Sequence, residues 1–383
     1  MARKTVEGDT CATSAAWATE SFLVRVTSVA SDATSAALWL AGPSARLDPF
    51  VPGMVIASDE SLVTRSRRQK HEHATRLERR ERAAFAGDTL GRAPVPVLVL
   101  DTNVYSYAPA EELRALVERG LTLRVSEVAV LEGLAASVRE YETGAPRAKA
   151  RGKFFSRARA MDRLLDKQSP LAFAGPVVMG RVVALVDGGA LPADGEQYAA
   201  RMLRMWEQSI GPGMTDEEWI ANGTSALAHL AERDKRLSAL ARRDDAIRAG
   251  RASEQFAEWD RLTEPQRLAV TTEHVRRSTG FSDDVAERFD AWIRCMGLRL
   301  HAARTGARMP KENDGADVPL TMHLAEGAVL VTNETQLVAI VDQSHTFQAP
   351  WVRRMNDLDD LPSGTPWGAD AREVAARFTR RVK

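Results

Sequence analysis

The chain has 383 residues and no formal net charge, with 44% hydrophobic and 27% charged residues, which predicts two or three structural units and a sizeable buried core. Its two cysteines, Cys11 and Cys295, are far apart and exclude both a disulfide framework and a zinc-ligand spacing. No apolar run approaches the roughly 18 residues of a membrane span, and the N-terminus lacks the apolar segment of a signal peptide, so a cytoplasmic protein with no membrane contact is expected.

Residues 1–62 are mixed; SFLVRVTSVA and AALWLAG suit strands or short helices. Residues 63–86 read as a charged helix containing the basic run RSRRQKHEHATRLERRER (65–82). The Gly/Pro punctuation of GDTLGRAPVP marks a boundary, so 1–90 form an N-terminal accessory region with a basic helix. VPVLVLD follows, an apolar β-branched run of buried parallel-strand type. PAEELRALVERG is a helix with a glycine stop, LTLRV a strand, and SEVAVLEGLAASVREYETG a helix capped by Ser126. This alternation predicts a parallel sheet covered by helices.

From 145 to 280 the pattern turns helical and rich in Arg, Ala, Glu and Leu, with Trp206, Trp219 and Trp259 as anchors of a core of its own. Two stretches in it are basic, RAKARGKFFSRARAMDR (147–163) and RDKRLSALARRDDAIRAGR (233–251). Each basic run suits a solvated helix face or a phosphate-binding surface. The α/β signal then returns: a long helix in DDVAERFDAWIRCMGLRLHAAR, a second in ADVPLTMHLAEG with Pro319 in its first turn, a strand in GAVLVTNE, a helix in TQLVAIVDQ and an edge strand in TFQAPWV. ADAREVAARFTRRVK closes the chain as a basic amphipathic helix within 356–383.

Ligands of open parallel sheets bind beyond the carboxyl ends of the strands. Asp101 ends one strand and Glu334 follows another, in LVTNE. Glu132 sits among apolar residues of a helix, and Asp317 opens ADVPLTMHLAEG. Singly, each acid also suits a bland role: an Asx-turn or cap for Asp101, an exposed helical position for Glu132, a dipole partner for Asp317 and Glu334. Asp314, in KENDGAD, is a reserve candidate. Other chemistry lacks support: there is no Walker loop, no G-x-G-x-x-G after a strand and no H-E-x-x-H, and Cys295 lies on an apolar helix.

The ordered set, VLVLDTNV, then S-x5-E, then D-x-P-L-T-M-H-L-A, then LVTNE, resembles the PIN-domain family of metal-dependent nucleases. The D-T/S-N/S motif of that family matches Asp101, Thr102 and Asn103; its helical Glu matches Glu132; its helix-opening Asp matches Asp317; its L-V/L-T-x-D motif matches Leu330, Val331, Thr332 and Asn333, with Glu334 at the acidic position. The last acid is Glu where the family favours Asp, and some 180 residues separate Glu132 from Asp317, so 145–280 must be an insertion. The resemblance covers 95–143 and 283–352. It implies a three-layer α/β/α PIN-like domain over 94–355, with a central parallel sheet and the large helical insertion.

It further implies a carboxylate site for Mg²⁺ or Mn²⁺, hard cations that take oxygen ligands, with Asp101, Glu132, Asp317 and Glu334 as metal-binding catalytic residues. Thr102, Asn103, Thr332 and Asn333 would support them. Arg147, Lys149, Arg151, Lys153, Arg157 and Arg159 would contact nucleic-acid phosphates. The implied activity is hydrolysis of RNA phosphodiesters, with DNA as a further substrate, in a toxin–antitoxin, stress or defence setting. An inhibitor protein and a homo-oligomer are the implied protein partners. A PIN-like module that binds RNA or protein without cutting is the alternative, and four acids at four acidic positions favour the enzyme.

Overall fold

The computed structural model describes residues 96–188, 193–211, 213–231, 261–305, 314–362 and 364–381. The expectations for 1–90, for the basic run at 233–251 and for Trp259 fall outside them.

Five short strands lie among the described residues: β1 (Val97–Leu100), β2 (Thr122–Ser126), β3 (Leu171–Ala172), β4 (Val329–Val331) and β5 (Val352–Arg353). They form one sheet in the order β3-β2-β1-β4-β5, and every pairing is parallel. Leu100 lies level with Val125 on one side and Val331 on the other. Leu98, Val99 and Leu100 are all essentially inaccessible, so helices cover both faces and the strand reads as an unbroken apolar run. With this strand order, crossovers of the usual right hand would put the β1–β2–β3 connections on one face and the β3–β4–β5 connections on the other.

On the first side lie α1 (Thr102–Tyr107), α2 (Ala110–Glu118), α3 (Glu127–Glu142) and α4 (Arg147–Asp162), with α1 and α4 both against α3. Then come α5 (Pro176–Val183), α6 (Ala193–Ile210) and α7 (216–231). Beyond these lie α8 (Glu264–Ser278), α9 (Asp283–Arg288), α10 (Asp290–Arg304), α11 (Asp314–Leu320), α12 (Thr335–Gln343) and α13 (Gly368–Arg381). α10 packs on α8 and α12.

Several sequence expectations need correction. The segment 145–280, expected to be mostly helical, also contributes a strand: β3 pairs Leu171 and Ala172 with Val125 and Ser126. It does not keep a core of its own. Trp206 and Trp219 are buried in the same cluster as Leu98, Leu100 and Leu134. Trp219 Nε1 donates to Ser137 Oγ on α3 at 3.0 Å. Gly223 of α7 lies so close to α3 that an added Cβ would collide with the Val138 side chain.

The helix expected from 283 breaks at the buried Phe289 into α9 and α10. That expected at Asp317 starts at Asp314, and beyond Pro319 it tightens into a 3₁₀ segment, Thr321–Glu326. β5 holds the edge but takes only the last residue of TFQAPWV, Val352, together with Arg353. The C-terminal helix docks through Ala371, and Arg372 pairs with Glu287 at 2.9 Å.

Candidate functional site

The carboxyl edge of the sheet gathers the acids from β1 and β4. Asp101 stays in the ladder through its N–H, which donates to Val331 O at 3.0 Å. The chain then turns into α1, and Asp101 caps that helix: its Oδ1 accepts from Val104 N at 2.9 Å. Its Oδ2 accepts from the hydroxyl of Thr332, the residue level with it beyond β4. Asp101 is only 2% exposed. A cap alone is served as well by Ser or Asn, without the cost of burying a charge.

Thr332 also accepts from Glu334 N at 2.9 Å, which folds the chain sharply after β4. Glu334 caps α12 by accepting from Gln336 N at 3.2 Å. Its other oxygen accepts from Asn103 Nδ2 at 3.2 Å, which bridges α1 to α12. The Thr102 hydroxyl donates to Glu132 Oε2 and ties α1 to α3. Asn333 faces the edge of the sheet and accepts from Met355 N at 3.2 Å. Thus the first turn of α1 hands two polar side chains, Thr102 and Asn103, to two acids, Glu132 and Glu334.

Burial raises the Asp101 carboxyl above its ordinary range. Hydrogen bonds from Thr332 and from the Val104 and Asn103 backbone oppose the shift, and the charge of Glu334 adds to it. A buried carboxyl with a second acid close enough to oppose its ionisation suits a shared cation.

The full four-acid cage is not formed. Among the described residues no group of three or more His, Cys, Asp or Glu side chains is placed to share a metal ion. Asp101 and Glu334 are electrostatically coupled, and Glu132 is tethered through Thr102. Asp317 lies inside α11, half-buried, and the 3₁₀ segment after α11 packs on β4. Asp314 is the first residue of α11. The donors still fit Mg²⁺ or Mn²⁺ in kind: all are hard oxygens, and Mg²⁺ is commonly held by one or two carboxylates plus water and phosphate.

The chain matches no family model, no curated protein and no solved structure.

The basic residues divide. Arg147 and Arg151 pair with Asp216 at 2.8 and 3.2 Å, and Lys153 pairs with Glu140 at 3.0 Å. Arg151 also donates to Met214 O. Arg157 turns inward and donates to the carbonyls of Val104, Tyr105 and Ala108, closing the C-terminal end of α1. Nε and one terminal nitrogen of Arg157 are thus engaged in holding the end of α1. Lys149 and Arg159 remain exposed.

Sequence reasoning missed a second polar cluster beside β2. Glu127 is fully buried and accepts from Ala174 N at 3.0 Å, just beyond β3. Ser126 lies 3.4 Å from Glu127 Oε2 and 3.1 Å from His323 Nε2. Burial pushes the His323 imidazole down to about 3, so it is neutral at any physiological pH. These residues fasten β2, the exit of β3 and the 3₁₀ segment after Asp317. An acid next to an N-cap reads from sequence as an ordinary dipole partner, which hid Glu127.

Proposed function

We propose that the chain is a metal-dependent phosphodiesterase of PIN-like type, an endoribonuclease first and a deoxyribonuclease second. The observation that carries this reading is the buried Asp101, held by Thr332 and coupled to Glu334 at the carboxyl edge of a parallel sheet. Asp101 and Glu334 are the residues that would hold Mg²⁺ or Mn²⁺, with Glu132 and Asp317 as flanking acids. A bound divalent ion supplies Lewis acidity and eases deprotonation of water near neutral pH. The chain's own residues supply position. Thr332 fixes the Asp101 carboxylate, Asn103 fixes Glu334, and Thr102 tethers Glu132 to α1.

The test uses labelled RNA and DNA with Mn²⁺, Mg²⁺ or EDTA, for the wild type, Asp101→Asn and Asp317→Asn. Cleavage that needs metal and disappears in both variants supports the proposal. One observation favours the alternative, a PIN-like module that binds without cutting: Thr102 and Asn103 already occupy oxygens of Glu132 and Glu334. No cleavage with any metal, and RNA binding unchanged by either substitution, would select that alternative.

A further inference from the structure

Tyr107 ends α1 with 81% of its surface exposed, and among the described residues no other aromatic is classed as exposed. α1 has six residues, so Tyr107 stands about 9 Å along the helix from Asp101. The ring is not on a loose end. Arg157 donates to Ala108 O at 2.9 Å and to Tyr105 O, clamping this end of α1 to α4.

α4 is two-sided. Ala150, Phe154, Phe155, Ala158 and Met161 are buried, whereas Lys149, Lys153, Ser156, Arg159 and the capping Arg163 face solvent. Lys153 is paired with Glu140. Lys149, Arg159 and Arg163 make no ion pair among the described residues, and they span about 21 Å of helix. An open aromatic ring at the end of a helix that α4 clamps, with unneutralised cations along α4 itself, complements a polyanion with accessible flat faces. Bases inside a duplex are stacked on one another and offer the ring nothing, while every unpaired base offers a π-face.

We propose that Tyr107 and the open face of α4 bind single-stranded nucleic acid, the ring stacking on an unpaired base while Lys149, Arg159 and Arg163 hold phosphates. The identity of the polyanion rests on the phosphodiesterase reading. The surface delivers an unpaired strand to the acids at the other end of α1 and discriminates against duplex.

The experiment measures fluorescence anisotropy of labelled oligouridine, and of a labelled RNA duplex of equal length, with the full chain in EDTA over a salt series. Tyr107→Ala should weaken oligouridine binding about tenfold and leave duplex binding unchanged, and Tyr107→Trp should keep the wild-type affinity. Lys149→Gln and Arg159→Gln should each flatten the salt dependence by about 0.7 log units per log unit. Thermal melts should be unchanged in all four. Tyr107→Ala binding like wild type, duplex binding as tightly as oligouridine, or no binding of either at low salt would overturn the proposal. A ring effect in a chain that cuts nothing keeps this surface and sinks the phosphodiesterase; metal-dependent cleavage with no ring effect does the reverse.

Discussion

Asp101 carries two roles that one substitution separates. Asparagine keeps the cap on α1 and removes the buried charge. The sign follows from the raised native carboxyl: stability from this group is fully present below the ordinary carboxylate range and is lost as pH rises through the native value. Asp101→Asn should therefore melt at or above wild type in EDTA, with its advantage growing as pH rises from acid to neutral, in scans at a series of pH values. Adding Mn²⁺ should raise the wild-type midpoint and move the variant far less. An Asp101 that only caps predicts no metal effect in either. Thr332→Val should cost about 1.5–3 kcal/mol, since it removes one donor to a charged acceptor and strands Glu334 N; urea unfolding with a double cycle against Asp101→Asn measures the coupling. Asp101 and Glu334 were legible because each ends an apolar run with a small polar residue beside it. Glu127 and His323 were not, since nothing local marks a burial that β3 and the 3₁₀ segment create.

At the scale of elements, α1 and α4 act as a clamped pair. Arg157→Gln should lower the melting midpoint and leave the salt dependence of nucleic-acid binding alone, because its donors close α1. Lys149→Gln should do the opposite, and paired melts and anisotropy titrations check both. Gly223→Val should destabilise the fold by about 1–3 kcal/mol through overpacking against Val138. Long periodic elements such as α3 and the strand before Asp101 could be read from residues alone. α1 could not: six residues do not complete two helical turns, and the D-T-N run reads as a turn. β3 was lost because a two-residue strand has no periodicity, although Pro170 and Gly175 bracket its apolar run.

Across the whole molecule, the described residues of 145–280 join the sheet and the common core. A chain lacking 147–278 should fail to fold, since it loses the β3 edge and the buried tryptophans of α6 and α7. Circular dichroism would show this, and a cooperative melt of the shortened chain would restore the idea of an independent insertion. No helix among the described residues is long and apolar enough to cross a membrane. The parallel sheet followed from alternation in the sequence. The shared core did not, because tryptophan spacing says that a residue is buried but not against what.

Asn103 and Glu334 are 231 residues apart in the chain. A ribosome adding about 5–20 residues per second exposes the first half of the site many seconds before the second. Through that interval Asp101 has no Thr332 to hold it and no Glu334 beside it. Were the chain the phosphodiesterase we propose, a nascent copy would stay inert toward the message and the ribosome from which it emerges, with the order of synthesis as its safety catch.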